Sequence, residues 1–196
     1  MRSSLPRTAA LAALGATAVL TLAALPAAAA TYEVDPVHSS AIFKVKHFGV
    51  ANFYGAFREV SGRIEYDPES PEGLAVEVTI AAASVDSRNG QRDDHLKSQD
   101  FLNVVEFPTI SFRSTRVAPA GDDRYEVTGD LTLHGVTREI QVTAEKTGEG
   151  KHPRSGRDLV GFEARFAVDR TDFGMTFMAG PLSEQVEIIL ALEAGK

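Results

Sequence analysis

Hydrophobic and polar residues alternate along most of the chain beyond its first thirty residues. In the segment 39–47, for example, Phe43 and Val45 fall on one face while Lys44 and Lys46 fall on the other. A strand places successive side chains on opposite faces, so this alternation predicts strands with one apolar and one solvated face. The same alternation recurs over residues 59–67, 74–80, 110–113, 125–133, 139–145, 162–169 and 186–193.

Turn-forming sequences separate the predicted strands. Residues 67–73, 119–123 and 147–150 are rich in Pro, Gly and acidic residues, and His134-Gly135 lies between two strands as a two-residue hairpin turn. The pattern therefore predicts about eight antiparallel strands, which suit either a closed barrel or a two-sheet sandwich.

Two breaks in the alternation predict short helical turns. One break covers residues 49–54. The other covers the sequence QRDDHLKSQDFLN at residues 91–103, where Asp93 or Asp94 would cap one turn and Ser98 would cap another. We therefore expect an all-β domain that carries one or two short helical segments.

The first thirty residues have the order of a secretory signal peptide. Arg2 and Arg7 precede an almost wholly apolar stretch over 9–25, and alanines follow at 27–30. We predict a signal peptide over 1–30, cleaved after Ala30, and one mature domain over 31–196 that is periplasmic or secreted. An uncleaved N-terminal anchor is the alternative, although the apolar stretch is marginal for a membrane span, which needs about 20 residues.

Charge and composition exclude several classes of function. The chain has 20 Lys and Arg against 27 Asp and Glu, and loss of Arg2 and Arg7 with the signal takes the formal charge from −7 to −9. Nucleic-acid binding needs clustered basic residues, so we expect no nucleic-acid partner. The chain has no cysteine, which leaves neither disulfides nor thiol chemistry, and its stability must come from burial in one core.

The cluster at 91–103 concentrates acidic, basic and histidine side chains, which raises the question of a metal site. Zinc favours tetrahedral sets of His and Cys ligands, whereas this chain lacks Cys and lacks paired-His spacing such as His-x-x-x-His. A structural role is simpler, with acids in the first turn of a short helix and apolar residues packing beneath it. We therefore predict no metal. A zinc site would have to combine His95 and either Asp93 or Asp94 with His38, His47 or His134.

The histidines near the strands offer weak evidence for catalysis. His47 shares the alternating face of Phe43 and Val45, so it should point inward, where a histidine is more often a hydrogen-bonded core residue than a catalyst. Asp35 and His38 could form an orienting pair, but no nucleophile elbow such as Gly-x-Ser-x-Gly accompanies them. We predict no enzymatic activity; a hydrolase or isomerase that uses Asp35, His38 or His47 is the alternative.

The aromatic residues leave two interpretations open. The chain has eleven Phe and no Trp, and many Phe residues lie outside the predicted strands. The segment 174–180 is also apolar and contains two Met residues. Such loops could plug the ends of a barrel, or they could border a pocket for an apolar ligand.

Nine segments, which lie in order along residues 31–196, are specific as a set and point to a family. They are Asp35-Pro-Val-His-Ser39, Phe43-Lys-Val-Lys-His47, Gly55-Ala-Phe57, Ser84-Val-Asp86, Arg92-Asp-Asp-His-Leu96, Ser98-Gln-Asp-Phe101, Phe107-Pro-Thr-Ile-Ser-Phe112, Gly129-Asp-Leu-Thr-Leu-His-Gly-Val-Thr137 and Asp169-Arg-Thr-Asp-Phe-Gly174. On these segments the chain resembles the YceI-like family of exported bacterial lipid-binding proteins. The resemblance implies an eight-stranded antiparallel lipocalin-like β-barrel, with one or two short helical segments near its mouth and an elongated apolar tunnel.

The resemblance also implies a function. The tunnel would hold a long-chain isoprenoid, such as a polyprenyl phosphate or a quinone tail, or a similar amphiphilic lipid, for transport, storage or sequestration. We expect no cofactor beyond that lipid, and the sequence is compatible with a homodimer. A barrel filled by its own side chains would bind no ligand and would instead be a structural or stress-response protein.

Three groups of site residues follow from the strand faces and the family segments. His47 and Arg92 are the predicted polar contacts at the mouth of the tunnel. The residues predicted to hold the local structure are Asp35, His38, Asp93, His95 and Ser98. The predicted apolar wall consists of Phe43, Val45, Phe53, Phe57, Ile64, Val78, Ile80, Leu96, Phe101, Phe112, Leu133, Phe162, Phe166, Met175, Phe177 and Ile188.

Overall fold

The computed structural model describes residues 29–70 and 73–196, and strands dominate it. No helix in these residues is long and apolar enough to cross a membrane. Within them, one α-helix, α1, is Gly90–Lys97, and short 3₁₀ helices cover Ala82–Ser84 and Arg170–Phe173. The strands are β1 Ala30–Val34, β2 Ser40–His47, β3 Ala51–Phe57, β4 Val60–Tyr66, β5 Ala75–Ala81, β6 Val85–Asp86, β7 Thr109–Pro119, β8 Arg124–Leu133, β9 Val136–Lys151, β10 Asp158–Asp169 and β11 Gln185–Gly195.

The strands form a closed antiparallel barrel, as the resemblance implies. The eleven strands occupy eight positions around the barrel wall, because three of these positions, here called courses, each hold two short strands. β1 and β2 follow one another along one course, as do β3 and β4, and β5 and β6. β1 pairs with β4 on one side and with β11 on the other, where Val34 lies opposite Ala194, and this contact closes the barrel. Closure pairs strands that would otherwise present exposed edges.

The first course breaks between β1 and β2 at a turn built on Asp35. Pro36 has no N–H to donate to a neighbouring strand. Asp35 Oδ1 accepts hydrogen bonds from the amides of Val37 (2.8 Å) and His38 (3.3 Å). This turn lets β1 pair with the end of β11 while β2 pairs with its middle.

The predicted hairpin turn at His134-Gly135 is confirmed. The two residues have φ angles of 51° and 74°, as a type I′ turn requires, and Leu133 pairs directly with Val136. Gly135 also faces the ring of Phe107, which would overlap any Cβ at that position. The turn therefore requires glycine both for its backbone conformation and for its packing.

The prediction of a helical turn over residues 49–54 is wrong. Most of this segment belongs to β3, which pairs with β2 and places Val45 opposite Phe53. Gly55 masks the alternation of the strand, because the ring of Phe43 occupies the space that a side chain at Gly55 would need. A small residue at one inward position therefore hid a strand from the hydrophobic pattern.

The two ends of the barrel differ. At one end, called the mouth below, lie the β2–β3 turn, the segment from α1 to β7, the β8–β9 hairpin and the segment from β10 to β11. At the opposite end, the rings of Tyr66 and Phe162 meet edge-on with centroids 5.7 Å apart, and Tyr32 and Tyr125 pack beside them. Lys146 Nζ donates a hydrogen bond to the Tyr66 hydroxyl (3.2 Å). This aromatic cluster packs the end of the barrel away from the mouth.

The hydrogen-bonded ladder between β9 and β10 is incomplete. The two strands pair from the end away from the mouth as far as Ala144 opposite Ala164, and along these two described strands the pairing does not continue toward the mouth. At the mouth, Arg138 Nε instead donates to the carbonyl of Asp172 (2.7 Å). A side chain thus bridges the wall where the backbone ladder has ended.

Candidate functional site

An apolar cavity of about 660 Å³ runs inside the barrel. Its lining extends from Leu74 and Leu192, near the aromatic cluster, to Phe48 and Met178 at the mouth. Pockets for small ligands typically measure about 300–1,000 Å³, so the cavity has the size of a ligand site. The side chains of the barrel therefore leave its interior open. Among the mostly hydrophobic lining residues, those with polar side chains are His47, Asn52, Arg92, His95, Ser111, Glu163 and Arg170.

The structure brings the predicted apolar wall together. Every predicted wall residue except Phe177 borders the cavity. The strand residues do so because they share one alternating face, whereas Leu96 and Phe101 approach from the α1 segment. Further wall residues that had not been named lie on the same strand faces, and the alternation was the signal for them. They include Val76, Val127, Leu131, Ile140, Val142, Ala144, Ala164, Val168, Val186, Leu190 and Leu192.

Phe177 lies outside the cavity, contrary to the prediction. Its ring packs edge-on against His95, with centroids 5.4 Å apart, and against Phe101 at 5.3 Å. The rings of His95 and Phe101 meet at 5.0 Å. Phe177 therefore joins the segment before β11 to the α1 segment, and this contact directs its ring away from the tunnel.

The predicted helical turn near the mouth is α1, but its N-cap is Asn89 rather than Asp93 or Asp94. Asn89 Oδ1 accepts a hydrogen bond from the amide of Arg92 (3.0 Å). Asp93 Oδ1 instead accepts from the amide (2.7 Å) and the hydroxyl of Ser87. Asp93 thereby ties the helix to the residue that follows β6, which gives this side chain a structural role.

His95 and Ser98 shape the C-terminal end of α1. His95 Nε2 lies 2.7 Å from Asp100 Oδ2, and Ser98 Oγ donates to the His95 carbonyl (2.7 Å). The amide of Leu102 then donates to the carbonyl of Leu96 (3.0 Å), which turns the chain back toward the barrel. These contacts place part of the cluster at 91–103 against the cavity, as its predicted structural role requires.

Arg92 brings a cation to the mouth of the cavity. Its guanidinium carbon lies 4.3 Å from the ring centroid of Phe53, a cation–π geometry. Arg92 Nε donates to the hydroxyl of Ser87 (2.8 Å), and Arg92 Nη2 donates to the carbonyl of the same residue (2.7 Å). The guanidinium is therefore fixed at the edge of an apolar space, where it favours an anionic or hydrogen-bond-accepting group.

His47 borders the cavity but is exposed, which corrects the prediction that it points inward. It is the last residue of β2, and at this position the chain has reached the mouth. Its ring lies 4.0 Å from the ring of Phe48. Asn52, in the segment that was expected to be helical, joins it in the lining, as does His95.

Arg170 is buried and organises the segment between β10 and β11. It is 4% exposed, although it carries a permanent charge. Its guanidinium donates to the carbonyls of Met175 (2.5 Å), Phe177 (2.9 Å), Leu182 (3.3 Å) and Ser183 (3.0 Å). Because four carbonyls converge on one side chain, Arg170 fixes the path of this segment over the mouth. It had not been named as a site residue.

Asp169 holds the start of the same segment. Asp169 Oδ1 accepts hydrogen bonds from the hydroxyl (2.6 Å) and the amide (2.9 Å) of Thr171. Asp169 Oδ2 accepts from Nε2 of Gln185 (3.2 Å). The Thr171 hydroxyl above all, and then its amide, favour the charged carboxylate and hold the pKa of Asp169 below its ordinary value of 3.8.

We expect the fold to lose stability in acid as Asp169 is protonated. Its pKa is lower in the folded chain, so the carboxylate stabilises the fold above pH 3.8, and this contribution is lost as the pH falls through the folded pKa. Thermal unfolding from about pH 7 to about pH 2 measures the effect. Asp169→Asn should lower the neutral midpoint and reduce the acid dependence, whereas Asp122→Asn, in the exposed β7–β8 turn, should change neither. An undiminished acid dependence in Asp169→Asn would contradict the prediction.

Asp35 and His38 lie together, but away from the cavity. His38 Nδ1 is 3.2 Å from Asp35 Oδ2 and 3.6 Å from Glu193 Oε1, and ligand atoms of these three residues lie within 4.8 Å of one another. Asp35 Oδ2 also contacts Arg157 Nη2 (3.3 Å), so an internal cation already balances this carboxylate. None of these four residues borders the cavity, whereas His47 does. The residues of the enzymatic alternative therefore do not converge on one reacting position.

The fold and the cavity define a lipocalin-like β-barrel with an apolar interior of ligand size. Within that class, residues 32–194 match the family model of the YceI-like domain. The chain belongs to the YceI-like domain family.

Several known proteins are similar to the chain. A UPF0312 protein of Azotobacter vinelandii (strain DJ) is 40% identical over 174 residues, which cover 88% of this chain and 90% of that protein. The crystal structure of a Campylobacter jejuni YCEI protein has 30% identity and a TM-score of 0.69, covering 77% of this chain and 89% of that one. A polyisoprenoid binding domain from Saccharophagus degradans has a TM-score of 0.67 and 15% identity, covering 84% and 97% of the two chains; at that identity the likeness shows the fold.

Proposed function

We propose that the chain is an exported binding protein that holds a long-chain isoprenoid, or a similar amphiphilic lipid, inside its barrel. The cavity carries this proposal, because its lining is mostly hydrophobic and extends from the aromatic cluster to the mouth. An isoprenoid tail presents only apolar surface, which matches that lining. Family membership and the ligand class of the Saccharophagus degradans domain support the same kind of lipid.

A long tail gains affinity from burial alone. An isoprene unit has about five carbons, and burial of a CH₂ group contributes about 0.8 kcal/mol, so each buried unit adds roughly 3–4 kcal/mol before costs. Association and ordering of the tail oppose a large part of that gain. A few buried units are still sufficient for about micromolar retention. Retention of the lipid therefore requires few polar contacts, and the cavity lining offers few polar side chains.

Export and biological role are separate parts of the proposal. We propose that the protein transports, stores or sequesters the lipid in the periplasm or outside the cell. This location depends on the signal-like sequence over residues 1–30, of which residues 1–28 lie outside the described residues. The homodimer stays a prediction. We do not favour an enzyme, because Asp35 and His38 lie apart from the cavity that His47 borders.

The head group of the lipid would lie at the mouth, beside Arg92. If the ligand is a polyprenyl phosphate, Arg92→Gln should weaken binding about tenfold, since a charge-assisted contact is lost. The same variant should bind the corresponding polyprenyl alcohol as the parent chain does. Arg88→Gln is the control, because Arg88 is exposed beside α1 and does not border the cavity. Isothermal titration in a mild detergent measures both lipids, and an equal loss for phosphate and alcohol would contradict a head-group role.

Native mass spectrometry tests the proposed function. The protein is purified gently from its own cells, its intact mass is measured, and the bound lipid is extracted and identified. We expect a mass increment that extraction removes and that corresponds to an isoprenoid. The proposal is overturned if the protein carries no lipid and also fails to take up a quinone or a polyprenyl lipid in vitro.

A further inference from the structure

Large hydrophobic side chains are exposed at the mouth. Seven such residues are exposed among residues 29–70 and 73–196, and five of them lie in segments at the mouth. Val50 is 82% exposed and Phe48 is 55% exposed, both in the β2–β3 turn. Phe177 and Met178 are exposed in the segment before β11, and Val105 is exposed after α1. We call Phe48, Val50, Phe177 and Met178 the mouth rim.

The backbone holds the mouth rim in place. Phe48 and Met178 both have a φ of 50°, in the left-handed region that large side chains seldom adopt. The amide of Phe48 donates to the carbonyl of Pro181 (2.7 Å), and the amide of Leu182 donates to the carbonyl of Met178 (3.0 Å). The two segments of the rim are therefore joined, and two apolar residues are kept exposed in a conformation that glycine or asparagine would adopt more easily.

The rim is continuous with the cavity. Phe48 and Met178 border the cavity while they are exposed to solvent, whereas Val50 and Phe177 extend the apolar surface outward from them. An apolar surface that begins inside the barrel therefore continues onto the outside of the molecule at the mouth. Exposed apolar patches of this kind commonly mark sites of contact with a partner or a membrane.

The mouth is close to neutral in charge, although the whole chain is acidic. Residues 46–50, 87–107 and 170–184 contain five Lys and Arg against six Asp and Glu, so these 41 residues carry a formal charge of only −1. A bilayer that contains anionic lipids has a negatively charged surface, which repels an acidic protein. The near-neutral mouth can therefore approach such a bilayer with little repulsion.

We propose that the mouth rim docks on a lipid bilayer, with the apolar side chains inserted among the lipid head groups and the cavity opening toward the membrane. This rests on the proposed function, because an isoprenoid tail is dissolved in membranes and would have to cross water to reach a barrel in solution. Docking by the rim gives the tail an apolar path from the bilayer to the cavity. The chemistry of the partner is that of a phospholipid surface.

Vesicle flotation tests the docking. The full mature chain is mixed with phosphatidylcholine vesicles, and the fraction that floats with them is compared for the parent chain, Val50→Asp and Val37→Asp. Val37 is the matched control, because it is 80% exposed but lies in the β1–β2 turn rather than at the mouth. We expect Val50→Asp to lower the vesicle partition coefficient about tenfold, through loss of apolar burial and gain of a charge, and Val37→Asp to leave it unchanged.

Phe48→Gly provides a second variant that relieves its own backbone conformation, so its fold is retained while an apolar contact is removed. It should also lower vesicle binding. The proposal is overturned if the parent chain does not bind vesicles. It is also overturned if Val50→Asp and Val37→Asp lose binding equally, or if both rim variants bind as the parent chain does. Light scattering measures the oligomeric state of the same samples. If the parent chain is a dimer, the rim variants are monomers and vesicle binding is unchanged, the rim joins two copies of the chain and the docking proposal is overturned.

A separate uptake assay distinguishes failure of the docking from failure of the proposed function. Val50 does not border the cavity, so Val50→Asp should take up an isoprenoid alcohol from detergent micelles as the parent chain does. Transfer of the same alcohol from vesicles should slow about tenfold. Equal transfer rates for parent and variant would overturn the docking alone, whereas absence of uptake from micelles by the parent chain would overturn the proposed function.

Discussion

Replacement of a small wall residue by tryptophan, in Ala164→Trp, is expected to lower the affinity for a long isoprenoid at least about tenfold. Ala164 is buried on the inward face of β10, borders the cavity, and lies between Ala144 and Leu190 of the neighbouring strands. The larger side chain would occupy space that the tail needs. Displacement of about two CH₂ groups costs about 1.6 kcal/mol, and about 1.4 kcal/mol corresponds to a factor of ten.

The fold should tolerate this change, because the indole enters a cavity instead of a filled core. The chain has no other tryptophan, so the fluorescence of the introduced indole also reports the arrival of a ligand. Ala167→Trp is the control, since Ala167 is exposed on the outward face of the same strand. Competition against a fluorescent lipid gives the affinities. If Ala164→Trp binds the long tail as tightly as Ala167→Trp does, the tail is not held in the cavity.

The second large effect is expected in Arg170→Met, which should lower the free energy of unfolding by about 3 kcal/mol. The variant removes the donors to the carbonyls of Met175, Phe177, Leu182 and Ser183. The carbonyls must then stay buried without a partner or become solvated as the segment leaves the mouth. Either result weakens the contacts of Phe177 with the α1 segment.

Urea unfolding followed by circular dichroism measures this loss. Arg165→Met is the control on the same strand, because Arg165 is exposed and pairs with Glu163 (2.7 Å) at the surface. Its loss should cost less than about 1 kcal/mol. Arg170→Lys should fall between the two, since a lysine has fewer donors and no planar fork. Equal stabilities for Arg170→Met and Arg165→Met would show that the converging carbonyls contribute little.

The strands were predictable where one face of the strand packs inside and the other contacts water. β8 and β10 are examples, because most residues on their inward faces, such as Val127 and Phe162, have large apolar side chains. β3 was not recognised as a strand because its inward face includes Gly55, where the ring of Phe43 fills the space of a side chain. β1 is only five residues long and adjoins the apolar N-terminal stretch, so its alternation gave no separate signal.

The cavity itself could not be predicted from the pattern. Alternation indicates which side chains point inward, but whether they fill the barrel depends on its radius and on all their volumes together. The family resemblance supplied the tunnel that the pattern left open. The path of the mouth segments also lay beyond the sequence, because Arg170 is almost fully buried, which is rare for a charged residue. The prediction that Phe177 belongs to the cavity wall is wrong because it depended on the path of this segment.

The position of the tail inside the protein is the most direct test of these conclusions. An isoprenoid with a diazirine near the end of its tail is bound to the protein, activated by light, and located by mass spectrometry of the labelled peptides. We expect labels on inward residues deep in the barrel, such as Val127, Phe162 and Leu192. Labels confined to outward residues of the wall, such as Gln141 and Glu187, would contradict a tail held within the barrel.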